Sequence, residues 1–362
     1  MGPCVAVMAG GTGGHVFPAL AVAERLRAEG VAVFWIGTRR GMEARLVPEH
    51  GFDLEWIGIE GLRGKGLRTL VLAPFRLALA LWQAGSILRR RRPAAVLGMG
   101  GFASGPGGLM ARMLRVPLVI HEQNRVPGIT NQWLSRIANR VFEAFPGSFP
   151  EPRGAVACGN PVRAQIAALP EPDVRLGARL NGTGRRRLLV LGGSLGAQAL
   201  NQTLPLALAR IPEAHRPEVR HQAGQRTLAE AQRGYAESGV DAEVTPFIAD
   251  MAEAYAWADL VVCRAGALTV SELAAVGLPS VLVPYPHAVD DHQTGNARYL
   301  ADAGAALLVP QPELTPQALA WQLTGLLGDS PRLLRMAQAA RAQAQPDAAA
   351  RVAAACREVM QP

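Results

Sequence analysis

The stretch VAVMAGGTGGH, residues 5–15, decides the fold class, and RRLLVLGGSLGA, residues 186–197, repeats its pattern. In both stretches a short apolar run ends in a cluster of glycines that leads into a segment of helix length. Buried strands that alternate with helices are typical of a parallel sheet with helices on both faces. Because the pattern occurs once in each half of the 362 residues, we predict two α/β domains, each with a doubly wound, Rossmann-like parallel sheet.

Six strands are predicted in each half, one at every short apolar run. They lie near residues 4–8, 31–36, 54–57, 95–97, 118–120 and 140–142, and near 188–191, 218–223, 242–246, 260–263, 280–283 and 305–309. A stretch at 161–187, rich in proline, glycine and charge, predicts the linker. We expect domains at 1–162 and 163–335 that face each other across a cleft, where the strands end and such sheets bind ligands. The helical segment 336–362 either stays on the second domain or crosses back to the first.

Charge is divided unevenly between the two halves. The chain carries a net charge of +8, but residues 1–163 hold 20 basic and 10 acidic residues, against 17 and 19 in the remainder. The basic half predicts an anionic partner, with a merely solvated surface as the alternative. Because the arginines are scattered and aromatic residues make up only 5% of the chain, we expect no nucleic-acid partner.

The cysteines and the apolar runs indicate the cellular compartment in which the protein works. Cys4, Cys158, Cys263 and Cys356 are far apart and form no C-x-x-C pair, which fits a reducing cytosol. We expect no signal peptide and no membrane span, since the long uncharged runs are interrupted by glycine, proline and amide side chains.

The glycine loops exclude two common nucleotide motifs. A dinucleotide fingerprint in the first loop would need glycine or alanine at Val16, and no acidic residue ends the second strand. No G-K-[ST] follows any glycine run, which excludes a P-loop. A third cluster, GMGGFASGPGG at residues 98–108, also follows a strand. Three such loops predict a site where the backbone approaches a bulky, hydroxyl-rich ligand.

Polar residues follow other predicted strands. HEQN, residues 121–124, offers hydrogen-bond donors and acceptors to sugar hydroxyls. In CRAGALTVSE, residues 263–272, the amides of Ala267, Leu268 and Thr269 would begin a helix and bind an anion. Glu272 would reach a ribose, or else complement the helix dipole. Carboxylates and a histidine that could bind a metal are clustered in DDHQTGNA, residues 290–297. The chain has no D-x-D, the spacing typical of metal-dependent sugar-nucleotide sites, and we therefore expect no metal site.

Eight motifs occur in order along the chain: GGTGGHVFPALAVAE, GLRGKG, GMGGFASGP, HEQN, GNPVR, GGSLGA, DMAEAYAWADLVVCRAGALTVSE and HQTGNA. Together they resemble the MurG family of bacterial N-acetylglucosaminyltransferases, in glycosyltransferase family 28. The resemblance implies a GT-B fold, no cofactor and no metal. It implies inverting transfer of GlcNAc from UDP-GlcNAc to the MurNAc 4-hydroxyl of lipid I, which gives lipid II for peptidoglycan synthesis. The alternative is another GT-B UDP-sugar enzyme, such as a UDP-GlcNAc 2-epimerase, although GGTGGH and HEQN build an acceptor side that an epimerase does not need.

Inversion requires a base for the acceptor hydroxyl. His15 is our first candidate, because the pKa of an unperturbed histidine lies near neutrality and the adjacent glycines leave room for the acceptor. Glu122 is the second candidate. The resemblance further implies binding residues for UDP-GlcNAc besides the amides at 267–269: Arg163 and Ser194 at the diphosphate, Ile248 at the uracil, Glu272 at the ribose, Asn124 and Gln293 at GlcNAc hydroxyls, and Thr12, Gly13 and Gly14 in the first loop.

The segment 67–92 is predicted to meet a membrane. On a helix, Leu72, Phe75, Leu79 and Trp82 share one face, and arginines flank it at both ends. An apolar face with basic borders suits an anionic bilayer surface, whereas an ordinary core helix is the alternative. Since the acceptor of this family is a lipid, we expect a peripheral protein at the cytoplasmic face of the membrane. Other cell-wall synthesis proteins are candidate partners.

Overall fold

The computed structural model describes residues 2–59, 67–193 and 197–361. The chain divides into two compact units. Unit 1 comprises Met1–Arg163 and Gln345–Pro362, and unit 2 comprises Ala164–Ala344. Each unit has its own parallel sheet.

The described residues of unit 1 form seven strands: β1 (Cys4–Met8), β2 (Ala32–Gly37), β3 (Asp53–Trp56), β4 (Ala95–Gly98), β5 (Leu118–Glu122), β6 (Arg140–Glu143) and β7 (Val156–Ala157). Its helices are α1 (Gly13–Ala28), α2 (Glu43–Glu49), α3 (Leu67–Arg91), α4 (Ser104–Met113), α5 (Ile129–Leu134) and, from the end of the chain, α15 (Ala348–Glu358). The strand order is β3-β2-β1-β4-β5-β6-β7, and every pairing is parallel.

Strand β1 shows why the sheet lies in the middle of unit 1. Val5 and Val7 point to one face and pack with α1 and α15, whereas Ala6 and Met8 point to the other and pack with α3 and α4. Side chains alternate across a strand, so a strand covered on both faces must be apolar throughout. The carboxyl ends of the parallel strands, and the glycine loops that follow them, therefore share one edge.

Outside residues 194–196, unit 2 forms six strands: β8 (Arg187–Leu191), β9 (Glu218–Gln222), β10 (Glu243–Thr245), β11 (Leu260–Cys263), β12 (Ser280–Leu282) and β13 (Ala306–Leu308). Its helices are α6 (Ala164–Ala167), α7 (Pro172–Leu180), α8 (Gln198–Ala209), α9 (Leu228–Glu237), α10 (Met251–Trp257), α11 (Ala267–Val276), α12 (His292–Ala301), α13 (Pro316–Leu327) and α14 (Ser330–Ala342). The order β10-β9-β8-β11-β12-β13 is again wholly parallel.

All twelve predicted strands are confirmed to within two residues, and the two-sheet α/β class is confirmed with them. The short strand β7 was not predicted, because its two residues are exposed and give no apolar run. Helix α14 belongs to unit 2 and helix α15 to unit 1, where α15 packs against α1.

The predicted linker at 161–187 is wrong for most of its length. Residues 164–187 belong to unit 2 and contain α6, α7 and the start of β8. Arg175 of α7 donates to the carbonyls of Val276 and Gly277 at 3.2 and 2.7 Å, and burial lowers the pKa of its guanidinium to about 10. Arginines that hydrogen-bond to the last carbonyls of α11 stabilise its C-terminus, and composition alone does not distinguish them from linker charge.

Helix α3 confirms the predicted helix at 67–92. Its second half is buried through Ala84, Ile87 and Leu88, whereas its first half exposes apolar side chains. Within the described part of the chain, no helix is both long enough and apolar enough to cross a bilayer.

Candidate functional site

His15 lies in the first turn of α1, directly after the glycine loop that follows β1. Its ring Nδ1 lies 3.2 Å from the carbonyl oxygen of Gly10. A carbonyl oxygen only accepts hydrogen bonds, so Nδ1 carries the proton and Nε2 is the basic nitrogen of the neutral ring. The residue is partly exposed, and the loop sets the orientation that a general base requires.

The third glycine cluster packs against the first. Gly100 has φ of +86°, and a Cβ there would lie 2.9 Å from His15 Cδ2 and 3.0 Å from Nε2. Gly101 has φ of +83°, and a Cβ there would lie 2.5 Å from the carbonyl oxygen of Gly10. Both positions need glycine for the backbone angle and for the close approach. The glycines that follow β4 therefore form the surface against which the His15 ring rests.

Glu122, the second candidate for the base, is hydrogen-bonded within the loop that follows β5. It is 2% exposed at the end of β5. Its Oε1 accepts from the backbone N and side-chain Nδ2 of Asn124 at 2.9 and 3.3 Å. Its Oε2 accepts from Gly128 N and Asn131 Nδ2 at 3.2 and 2.9 Å. A buried carboxylate with four such donors holds the loop between β5 and α5, and these bonds disfavour a role as the base.

The other two residues of HEQN, His121 and Gln123, hydrogen-bond to each other. His121 is buried, and burial lowers the pKa of its imidazole to about 4, so the ring is neutral near pH 7. Its Nε2 donates to the carbonyl of Gly159 at 2.9 Å, which leaves Nδ1 to accept from Gln123 Nε2 at 3.3 Å. These bonds fix the Gln123 amide, whose Oε1 would lie 3.4 Å from a Cβ at Gly100.

Glu43 is a buried acid in unit 1 that the sequence analysis missed. It begins α2 and is fully buried, and its carboxylate hydrogen-bonds to the backbone amide of Gly11 at 2.9 Å. The pattern EARLVPE is typical of a solvated helix start and does not predict a buried acid. Gly37 and Gly41, which leave room for this side chain, are the sequence features that indicate its burial.

The remaining predicted residues of unit 1 lie around the same loop. Thr12 is exposed and directly precedes α1, and its side chain does not cap the helix. Gly13 and Gly14 form the first turn of α1. Arg163 ends unit 1, with its guanidinium 4.9 Å from the ring centroid of Phe17 on α1. The predicted roles of these residues stay predictions.

In unit 2, the start of α11 lies where the sequence predicted it. The helix begins at Ala267, Gly266 precedes it in an extended conformation, and no side chain caps its first turn. The amides of Ala267, Leu268 and Thr269 thus lie at the positive end of a ten-residue helix. Asn296 of α12 donates to the carbonyl of Ala265 at 3.2 Å and secures the turn that leads into this helix.

Glu272 lies one turn into α11 and is 3% exposed. The hydroxyl of Tyr255, a buried residue of α10, donates to its Oε2 at 3.0 Å. The sequence predicted Glu272 but not Tyr255. Tyr255 lies in the motif AEAYAWAD, and nothing in that motif indicates that its hydroxyl bonds to Glu272. The carboxylate is held in one orientation, as a ligand-binding carboxylate requires.

The other donor-side predictions are spread over neighbouring loops. Gln293 of α12 accepts from the backbone N of Tyr285 at 2.9 Å through Oε1, which orients its Nε2. Ile248 is half-buried in the loop between β10 and α10. Ser194 lies outside the described residues. Among the residues that the structure describes, no three His, Cys, Asp or Glu side chains are grouped to hold a metal ion.

The comparisons with known proteins agree along the whole chain. Residues 5–143 match the model of the glycosyltransferase family 28 N-terminal domain, and residues 187–352 match that of the family 28 C-terminal domain. A curated relative from Alkalilimnicola ehrlichii is 59% identical over 98% of both chains. It is named UDP-N-acetylglucosamine–N-acetylmuramyl-(pentapeptide) pyrophosphoryl-undecaprenol N-acetylglucosamine transferase. The crystal structure of Acinetobacter baumannii MurG has a TM-score of 0.83 at 43% identity, over 99% of this chain and 100% of that one.

The chain belongs to glycosyltransferase family 28, among the MurG transferases.

A more distant structure, the calicheamicin glycosyltransferase CalG4, has a TM-score of 0.67 at 16% identity over 99% of both chains. At this identity the likeness concerns the fold alone, which is the GT-B glycosyltransferase fold of the family 28 transferases. The predicted family and fold class are confirmed.

Proposed function

We propose that this chain transfers GlcNAc from UDP-GlcNAc to the 4-hydroxyl of MurNAc in lipid I, with inversion at the anomeric carbon, and so forms lipid II. The observation that carries the proposal is the 59% identity, over 98% of both chains, to a relative named for this transfer. The alternative of a UDP-GlcNAc 2-epimerase is disfavoured, because the family is one of glycosyltransferases and an epimerase needs no acceptor.

His15 is the proposed general base. In a direct displacement the acceptor oxygen attacks C1 of GlcNAc, the bond from C1 to the diphosphate oxygen breaks, and UDP leaves with the bonding electron pair. The acceptor proton passes to His15 Nε2, which is the basic nitrogen because Nδ1 donates to Gly10. General-base catalysis of this kind contributes about 10²–10⁴-fold.

Unit 2 is the proposed donor-binding unit. The amides of Ala267, Leu268 and Thr269 stabilise the charge that develops on the leaving diphosphate, as an uncapped helix start does for anions. Glu272, held by Tyr255, accepts from the ribose hydroxyls. Gln293 and Asn124 contact GlcNAc hydroxyls, Ile248 the uracil, and Arg163 and Ser194 the diphosphate, as the family resemblance implies.

The chemical identity of the product tests this function. Purified protein, UDP-GlcNAc and a lipid I analogue should give a product heavier than the acceptor by one N-acetylhexosamine residue. Its anomeric proton should show a β linkage to the MurNAc 4-oxygen by NMR. A product with an α linkage, or a UDP-sugar epimerised at C2 in the absence of acceptor, would contradict the proposal.

The first half of α3 is the proposed membrane-binding surface. Phe75 and Trp82 are 74% and 68% exposed, and Leu79 is exposed beside them, whereas the side chain of Leu72 lies outside the described residues. The helices α4 and α5 also expose apolar side chains, at Leu109, Met113, Ile129 and Trp133. The exposed apolar patch of α3 suits insertion between lipid headgroups.

The basic border of this patch is smaller than the sequence suggests. Arg90 and Arg91 form ion pairs with Glu55 and Asp53, both at 2.8 Å, within unit 1. The apolar side chains therefore carry most of the proposed membrane affinity.

Trp82→Ser should weaken binding to phosphatidylglycerol vesicles several-fold in a sedimentation assay, because it removes one of the largest exposed apolar surfaces. Trp321→Ser is the matched control, since Trp321 is 78% exposed on α13 of unit 2. Equal binding by the two variants would refute the surface.

A further inference from the structure

The carboxylate of Glu43 lies beneath the loop that carries His15. Its Oε2 accepts from the backbone amide of Gly11 at 2.9 Å. Its Oε1 accepts from the amide and the hydroxyl of Thr38 at 3.0 and 2.7 Å. One buried side chain thus joins the loop after β1 to the loop after β2.

Three glycines give this carboxylate its space. A Cβ at Gly10 would lie 2.5 Å from Glu43 Oε1, and one at Gly37 would lie 2.7 Å from Glu43 Cγ. A Cβ at Gly41 would collide with the carboxylate as well. Because the backbone encloses the side chain so closely, the position of the carboxylate and that of the loop depend on each other.

The hydrogen bonds of Glu43 and His15 meet in a single peptide group. The amide N–H of Gly11, which donates to Glu43, belongs to the same peptide as the carbonyl of Gly10, which accepts from His15 Nδ1. The N–H and C=O of a trans peptide point in opposite directions. The carboxylate therefore polarises the carbonyl, and hydrogen bonds in such a chain strengthen one another.

We propose that Glu43 is a positioning residue for the transfer reaction, and that it acts on His15 through the peptide between Gly10 and Gly11. It fixes the tautomer that leaves Nε2 basic, and it stabilises the imidazolium that forms when Nε2 takes the proton of the acceptor hydroxyl. This inference rests on the proposed function, in which His15 is the base.

A double-mutant cycle tests the proposal. In Glu43→Gln, the new amide group faces one of the N–H donors, which breaks at least one of the three bonds. We expect kcat of lipid I analogue glycosylation to fall about tenfold or more, since small displacements of a catalytic group cost that much. In a His15→Ala background the same change should alter the residual rate less than twofold. Glu49→Gln is the matched control, because Glu49 is an exposed glutamate on the same helix.

A merely structural role would give another result. Glu43→Gln would then lower the His15→Ala rate by the same factor as the wild-type rate, and this outcome would overturn the proposal. So would a Glu43→Gln variant as active as Glu49→Gln. A wild-type chain that makes no disaccharide would instead refute the proposed function, before any variant is compared.

A milder substitution keeps the test valid if Glu43→Gln does not fold. Thr38→Val removes only the hydroxyl bond to Oε1, and Thr38→Ser restores it. We expect kcat to fall several-fold in Thr38→Val and to return in Thr38→Ser, with the dissociation constant of UDP-GlcNAc unchanged in both. Equal kcat values for the two variants would overturn the proposal.

Discussion

Units 1 and 2 share one strand order over six strands, to which unit 1 adds β7, but they have different chemical groups where their strands end. In unit 1 the first strand, β1, lies between β2 and β4, and in unit 2 its counterpart β8 lies between β9 and β11. The order of connections reverses at this point in both sheets, and open α/β sheets bind ligands at such a point. In unit 1 the loops there hold a histidine ring against glycine backbone. In unit 2 the loop after β11 leads into an uncapped helix with a buried carboxylate one turn inside.

The comparison shows that the fold determines where a site lies and the loop residues determine its chemistry. A ring nitrogen can move a proton, whereas backbone amides and an oriented carboxylate bind a nucleotide. Substitutions around the His15 loop of unit 1 should therefore change turnover, and those around the start of α11 in unit 2 should change donor affinity.

His15→Ala should give the largest effect. Without the base, kcat should fall about 10²–10⁴-fold. Calorimetric titration should give an unchanged dissociation constant for UDP-GlcNAc. If the affinity for UDP-GlcNAc fell together with kcat, His15 would belong to the donor site, and the proposed difference between the two units would be wrong.

Gly100→Ala should lower kcat at least tenfold, because its Cβ would displace the His15 ring and because φ there is +86°. Strain of about 1–2 kcal/mol is expected from the backbone angle alone. Gly30→Ala isolates that strain, since Gly30 has φ of +78° and no atom lies within 4 Å of its added Cβ. Thermal unfolding should show similar destabilisation of the two variants, with activity lost only in Gly100→Ala.

Tyr255→Phe should weaken UDP-GlcNAc binding about five- to tenfold, because Glu272 loses the donor that orients it. The KM for the acceptor should stay unchanged. Tyr235→Phe is a matched control in the same unit, since the buried Tyr235 hydroxyl bonds to His221 at 3.0 Å instead. Weaker donor binding in both variants would indicate general loosening of unit 2.

Each unit also contains one buried neutral histidine, and this similarity predicts a shared response to acid. Burial lowers the pKa of His121 to about 4 and that of His221 to about 3. Below about pH 6.5 the unfolded chain binds protons at these residues and the folded chain does not, so stability falls as the pH decreases toward 4. His221→Gln should reduce the decrease in melting temperature between pH 7 and pH 5. An unchanged decrease would show that His221 is protonated in the folded chain.

The sequence predicted the strands well because a strand buried on both faces must be a short apolar run between glycine-rich turns, as in LLVL at residues 188–191. It predicted the start of α11 because Gly266 comes three residues after the end of an apolar strand. It did not reveal Glu43, Tyr255 or the arginines of α7, because each of them acts on a partner far away in the chain. The contact of Gly101 with Gly10 is likewise invisible until β1 and β4 pair.

UDP release from UDP-GlcNAc, measured in EDTA with and without a lipid I analogue, would separate the role of unit 1 from that of unit 2. We expect release only when the acceptor is present, at a rate equal to disaccharide formation. The His15→Ala variant should bind UDP-GlcNAc normally and release almost no UDP. Acceptor-independent release, or normal release by His15→Ala, would contradict the assignment of proton transfer to unit 1 and donor binding to unit 2.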